Sequence, residues 1–165
     1  MHSHLYFICP TDHLEPVINN TFQRENYFLT SLGNSITFDI EMTLWLSEFL
    51  RTRHIDSITF VLSEDNRIVR NEPNNKSLSE ISGIRDFHKQ IARQQKSTEE
   101  RWQSYNDRLM TLSYHLNNKI KQLRQELASL SMESVQITGK IYRRNPRGFR
   151  HIYPDLICAD NVCIN

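Results

Sequence analysis

The chain has 165 residues, 38% of them apolar and 24% charged, with 20 Lys and Arg against 19 Asp and Glu for a formal net charge of +1. That length suits one domain over residues 1–165, with a core large enough to need no metal or disulfide merely to hold it together. The charge balance supplies no long-range pull toward nucleic acid or anionic lipid, so neither is expected as a partner, although a local basic patch is compatible with it.

The three cysteines are Cys9, Cys158 and Cys163. An odd count argues against a secreted disulfide scaffold. The sequence shows no signal-peptide series and no apolar run near the ~20 residues that a bilayer span needs. A cytoplasmic protein without a membrane partner is therefore expected, and the sequons at Asn19 and Asn75 are expected to stay unmodified.

In chain order, HLYFICP (His4 to Pro10) reads as a first strand. Its nearly continuous apolar run fits a strand covered on both faces, as in a parallel sheet, and Pro10 ends it. LEPVINNTF holds a short helix with Pro16 in its first turn. NYFLTSLGNS gives a second apolar segment, Tyr27 to Leu29, closing at Gly33-Asn34, where glycine permits a positive φ or a close backbone approach. The spacing of Ile40, Leu44 and Phe49, with Trp45 and Leu46, then turns helical. Asp39 is placed to cap this helix, and Arg51, Arg53 and His54 enrich its last turn. SITFVL, Ser57 to Leu62, is the third strand.

From Ser63 to Glu80 the chain is polar and rich in turn formers, a long loop with a short ordered piece at Ile68-Val69. A helix is expected to start near Leu78 or Ser79, with polar helical tracts following. Between Met110 and Leu130, the residues Leu112, Leu116, Ile120, Leu123, Leu127 and Leu130 recur at spacings of three and four. A helix against a sheet and a coiled-coil seam both fit that stripe. Val135, Ile137 and Ile141 then start a hairpin interrupted by Gly139, with Asn145-Pro146-Arg147-Gly148 as its turn and Phe149 and Ile152 on its second strand. The order β, β, α, β, long helices, β favours a layered α/β domain on a mostly parallel sheet with a late antiparallel edge strand.

Four stretches in this order resemble the β-class carbonic anhydrases: FICPTDH, YFLTSLGNSITFD, HIDSITFVLSEDNR and VQITGKIYRRNPRGF. The resemblance implies that family's fold, a zinc held by two cysteines and a histidine, and an Asp–Arg pair following the first cysteine. Cys9 falls on the first zinc cysteine. Thr11 stands where the aspartate belongs and His13 where the arginine belongs, with Asp12 displaced by one residue. Ser63 takes the place of the histidine ligand and Asn66 that of the second cysteine, with Asp65 at an acidic position between them. Gly33-Asn34 match the glycine loop, whose preceding Arg-Asn is here Thr30-Ser31. Zinc lowers the pKa of bound water to about 7 when thiolate and imidazole hold it. A hydroxyl and an amide are poor substitutes, and a missing arginine cannot orient a carboxylate through its fork.

The candidate pocket is therefore Cys9, Asp12, His13, Gly33, Asn34, Ser63, Asp65 and Asn66, at the carboxyl edge of the strands, where α/β sheets bind ligands. The ordinary alternatives are a buried small thiol at Cys9, a turn cap at Asp12 with a solvated or bonded His13, and a loop from Ser63 to Asn66 that satisfies its own backbone. His115 beside the helical stripe reads as a packing or surface residue, and Tyr142 as a packing residue on an edge strand. Arg143, Arg144, Arg147 and Arg150, with His151, form the densest basic stretch, while Trp102 and Tyr105 suit half-buried positions or a partner interface.

The function expected is a noncatalytic binding or assembly module of β-carbonic-anhydrase-like fold. It is expected to need no cofactor and to act as a homodimer, since the family commonly dimerises, with a small ligand or protein partner left open. One alternative is a divergent enzyme, metal- or cysteine-dependent, such as a carbonate dehydratase using zinc. Another is an interaction protein using the helical stretch from Ile84 to Met110.

Overall fold

Parallel pairing of the short apolar runs sets the architecture. The computed structural model describes residues 3–69, 89 and 106–154. Among these, the strands are β1 (Ser3–Ile8), β2 (Asn26–Thr30), β3 (Ile55–Ser63), β4 (Gln136–Arg144) and β5 (Arg147–His151), and the helices are α1 (Glu15–Thr21), α2 (Ile40–Thr52) and α3 (Asn106–Ser129). The sheet order is β2-β1-β3-β4-β5. β1 pairs in parallel with β2 and β3, and β3 with β4, while β5 returns antiparallel to β4.

Every residue of β1 is buried, as a two-face-covered strand requires. Leu5, Phe7, Ile58, Phe60, Leu62, Ile137 and Ile141 join the core beneath α2 and α3. Tyr6, Ile8, Val61 and Tyr142 form a second cluster with Leu14 and Ile18 at α1. Phe7 and Phe60 stack at 4.6 Å on neighbouring strands, and Phe38 meets both edge-on, geometry that adds to burial alone.

Local signals set the helix ends. Pro16 sits in the first turn of α1, where its missing N–H is no loss. Asp39 caps α2, its Oδ1 accepting from Met42 N at 2.8 Å. The stripe of α3, Leu112, Leu116, Ile120, Leu123 and Leu127, is buried against the sheet, which resolves its repeat as helix-on-sheet packing. Burial of each such side chain contributes ~1.5–3 kcal/mol, several times what an exposed i,i+4 pair supplies, so the apolar face fixes the helix despite its polar exterior.

Several expectations change: the first strand ends at Ile8, and Ile152 lies just past β5 rather than on it. The third strand runs two residues earlier and one later than expected, Ile55–Ser63. The hairpin turn is confined to Asn145 and Pro146, because Arg144 pairs with Arg147 and Gly148 with Arg143 inside the ladder. Tyr142 lies on β4, which is flanked by β3 and β5, so its packing role is that of an inner strand. The expected helix start near Leu78, most of the Ile84–Met110 stretch, Trp102, Tyr105, Cys158 and Cys163 lie outside the described residues.

Gly139 interrupts the alternation of β4 for a steric reason. A Cβ there would lie 2.6 Å from Ile152 Cδ1 and 3.2 Å from Ile120 Cδ1, whereas one at Gly148 would meet nothing within 4 Å. Gly139→Ala is expected to lower the unfolding free energy by about 1–2 kcal/mol through overpacking, and Gly148→Ala to change it by less than about 0.5 kcal/mol. Urea denaturation of the two variants checks the contrast, and equal midpoints would contradict this packing.

Candidate functional site

Parallel strands deliver their carboxyl ends to one edge of the sheet, so the segments after β1, β2 and β3 converge. Cys9 follows β1 and is fully buried. A single 3-10 turn, Pro10–Asp12, comes next, with Asp12 N donating to Cys9 O at 3.0 Å. The turn carries Asp12 inward to 2% exposure. Its Oδ2 accepts from Ser63 N at 2.8 Å and its Oδ1 from Asn66 Nδ2 at 2.8 Å. Burial pushes the Asp12 carboxyl above its ordinary range, against the pull of the Ser63 and Asn66 donors; the nearby Asp65 adds to the rise and Arg144 opposes it.

The loop after β3 closes on itself as well. Asn66 Oδ1 accepts from Val69 N at 3.0 Å, and the Ser63 hydroxyl donates to Asp65. Ile68 and Val69 are buried here, as the short ordered piece in the sequence foretold. Arg144, at the end of β4, donates from Nε to Asp65 Oδ2 at 3.1 Å and from Nη2 to the Asp12 carbonyl at 3.1 Å. Burial raises the Asp65 carboxyl, but the Ser63 hydroxyl and the Arg144 charge outweigh it and hold the group below its usual range. Arg144 and Asp65 are both half exposed, at 51%, so their ion pair is worth at most ~1 kcal/mol.

Gly33 and Asn34 form the third part. Both are buried and both have positive φ, 61° and 55°, which suits glycine and asparagine better than other residues. Gly33 N donates to Cys9 Sγ at 3.1 Å, and the Thr11 hydroxyl lies 3.1 Å from the same sulfur. Asn34 Nδ2 bridges the Phe7 and Val61 carbonyls at 3.3 and 3.0 Å, pinning β1 to β3. From α3, buried His115 donates Nε2–H to Gly33 O at 2.8 Å. Burial lowers the His115 pKa to about 4, with Lys119 adding to the fall and the Gly33 and Asn34 backbone opposing it. Lys119 itself, lowered by burial to about 8, donates to Ile36 O at 2.8 Å.

The structure thus joins Asp12, Ser63, Asp65 and Asn66 in one network and Cys9, Gly33 and Asn34 beside it. His13 is exposed at φ 53° and is bonded to neither. Asp12 is no local turn cap: its carboxylate reaches across to the β3 loop. The sequence reading missed three parts: the Arg144 clasp, the double bridge of Asn34 and the His115 bond to Gly33. Arg144 was visible only as one of a basic run.

The zinc that this fold implies does not fit these donors. Neither Ser63 nor Asn66 offers imidazole or thiolate, which leaves Cys9 Sγ as the lone soft donor of the matched set. Both ends of the Asn66 amide are bonded to protein. Among the described residues no group of three or more His, Cys, Asp or Glu could hold a metal ion, and no helix is long and apolar enough to cross a membrane.

No family model and no curated protein matches the sequence, but solved structures do. The β-carbonic anhydrase CafD of Aspergillus fumigatus superposes with a TM-score of 0.71 at 16% identity, over 90% of this chain and 88% of that one. CafA of the same fungus gives 0.72 at 15% identity, over 91% and 74%. A tetrameric β-carbonic anhydrase of Sordaria macrospora gives 0.68 at 9% identity, over 92% and 80%. At such identities the likeness establishes the fold, and the chain has the fold of the β-carbonic anhydrases.

Two outcomes follow for stability. Asp12→Asn replaces an acceptor oxygen with an amide NH2 facing buried donors and is expected to cost about 1–3 kcal/mol, against under about 1 kcal/mol for the exposed Asp65→Asn. Equal losses in denaturant titrations would show that Asp12 is not the tie. His115 is held neutral in the fold with its pKa lowered from 6.5 to about 4, so the unfolded chain binds more protons between those values. Stability is complete above pH 6.5 and falls as pH drops toward about 4, by on the order of 3 kcal/mol for so buried a group. His4, lowered to about 4 by burial and then by Arg24 and Lys140, acts in the same direction. Unfolding curves across this window should show the slope shrink in His115→Gln, and an unchanged slope would remove His115 as its source.

Proposed function

We propose that the chain is a single noncatalytic domain that uses the β-carbonic anhydrase scaffold for binding or assembly. One observation carries this reading. The Asp12 carboxylate spans the two loops that would present metal ligands and takes up the Ser63 N–H and the Asn66 amide in structural bonds. What would be a coordination sphere is a hydrogen-bonded tie, and the hydration of carbon dioxide by a zinc-bound hydroxide needs ligands that Ser63 and Asn66 do not supply.

Binding capacity supports the second half of the reading. Asn34 Oδ1 and Ser31 Oγ are enclosed and carry no hydrogen-bond partner among the described residues, polar capacity beside Cys9 and Gly33 of the kind that native proteins satisfy with solvent or ligand. The pocket of the proposed module is this carboxyl edge, around Cys9, Gly33, Ser63 and Asn66. Assembly as a homodimer accords with the use of the same fold in the Sordaria macrospora enzymes, which are tetrameric.

The test is elemental analysis of protein purified without a metal-binding tag, alongside stopped-flow carbon dioxide hydration. Substoichiometric zinc and a rate equal to the uncatalysed one are expected. One firmly bound zinc per chain with accelerated hydration would establish the divergent-enzyme alternative instead. Site-resolved alkylation addresses the cysteine-dependent variant: Cys9, fully buried, should label far more slowly in the native protein than after unfolding, and rapid native labelling would argue for a reactive thiolate.

A further inference from the structure

On the sheet face that packs against α1, two cations lie over one aromatic ring with no anion between them. Arg24 Cζ is 5.4 Å and Lys140 Nζ 4.9 Å from the centroid of Phe22. Among the described residues neither has a carboxylate partner. Arg24 makes one hydrogen bond, from Nη2 to the Tyr6 hydroxyl at 2.8 Å. The acids closest in the chain and in the field are engaged elsewhere: Glu25 accepts from Ser3 and Tyr27, and Asp56 from Ser57. The crowding of charge is felt locally. Lys140 is lowered by burial and then by Arg24, and both cations lower His4 after its own burial. Like charges gathered around one ring repel each other, and an anion seated between them converts that repulsion into attraction.

His4 supplies a second, independent sign of a ligand. It stands two residues before Tyr6 on β1 and so faces the same side, its ring 4.3 Å from the Tyr6 ring. It is only 6% exposed. Its Nε2 lies 2.8 Å from Thr59 Oγ1, which lies 2.9 Å from Thr138 Oγ1, a polar row across β1, β3 and β4. The other acceptor for the Thr138 hydroxyl, Ile58 O, is 3.5 Å away, long for a hydroxyl donor. The row therefore runs from Thr138 through Thr59 into His4 Nε2 and leaves the ring proton on Nδ1. That atom is buried and has no hydrogen-bond partner among the described residues, a condition native proteins relieve with solvent or ligand. Arg24 and Thr138 are exposed and Lys140 is half-buried, so the face beside this histidine is open. One N–H donor flanked by two cations is a donor set for an oxyanion.

We propose that this face binds a small molecule through an oxyanion, a phosphate or a carboxylate, whose charge Arg24 and Lys140 neutralise and whose oxygen accepts from His4 Nδ1. The site goes beyond the function proposed above. It shares no residue with the carboxyl-edge pocket, and it stands or falls separately from the missing zinc chemistry.

Calorimetric titration of the full chain with inorganic phosphate and, separately, with succinate tests it, with long-range proton–nitrogen spectra of the histidine rings reporting the place of binding. At least one of the two anions should saturate with a dissociation constant on the order of 1 mM and shift the ring nitrogens of His4. Phosphate alone would assign the ligand to the phosphate class, and succinate alone to the carboxylates. Arg24→Gln and Lys140→Met should each weaken binding at least about 10-fold, the loss expected when a charge-assisted bond is removed. His4→Phe keeps a ring and removes the donor, and should weaken it likewise; should that variant fail to fold, the two cation variants still decide. Arg150→Gln should leave binding unchanged, because Arg150 pairs with Ile141 and lies on the opposite face of β5 from Phe149. Circular dichroism confirms the fold of each variant. No saturable binding of either anion would overturn the proposal. So would binding indifferent to Arg24→Gln and Lys140→Met, or binding that leaves the His4 ring unshifted. Zinc binding or carbon dioxide hydration, by contrast, would overturn the noncatalytic reading and leave this site untouched.

Discussion

A buried carboxylate holds the carboxyl edge of this sheet together. Asp12 lies at the end of a turn that follows β1, and its two oxygens accept from groups on the loop that follows β3. Removing an anion from water is costly unless it is paired or well bonded. Here the compensation is a backbone N–H, a side-chain amide and the partial positive field of Arg144, whose guanidinium also grips the Asp12 carbonyl. The loops are consequently placed by each other, and the third loop joins them through Asn34, which bridges the carbonyls of β1 and β3.

This tie also decides what chemistry the site can do. A catalytic zinc needs lone pairs from soft or imidazole donors and an open position for water. At this edge the corresponding groups are an alcohol, an amide and one sulfur. The scaffold of the β-carbonic anhydrases persists with TM-scores near 0.7 at identities of 16% and below, while the groups at its functional edge serve cohesion. The fold alone does not carry the chemistry, because the sheet is held by core packing and the chemistry by a few loop side chains.

The outer surface shows a different economy. α2 spends part of its apolar face on the core, through Leu46 and Leu50, and leaves Ile40, Leu44 and Trp45 in contact with solvent. α3, of nearly twice the length, buries its apolar stripe from Leu112 to Leu127. Among the described helices, α2 is the one that exposes large apolar side chains. Its position next to the β2 edge distinguishes it from the β5 edge, where Arg147, Arg150 and His151 are exposed and blunt the strand with charge.

The sequence by itself determined the presence and order of the strands, the α2 cap at Asp39 and the leucine face of α3. These follow from periodicity and from local bonds between residues a few positions apart. It also fixed the residue types, Ser63 and Asn66, that the resemblance sets at the zinc-ligand positions. Tertiary structure decided the rest. Asp12 reads locally as a turn residue, and only the parallel pairing of β1 with β3 brings Ser63 and Asn66 to it, across separations of 51 and 54 residues. The reach of Arg144 to Asp12, 132 residues away, the bond from His115 to Gly33, and the close approach of Ile152 and Ile120 that requires Gly139 likewise depend on register and layer spacing. Such contacts are set by how whole elements pack, which no window of neighbouring residues encodes.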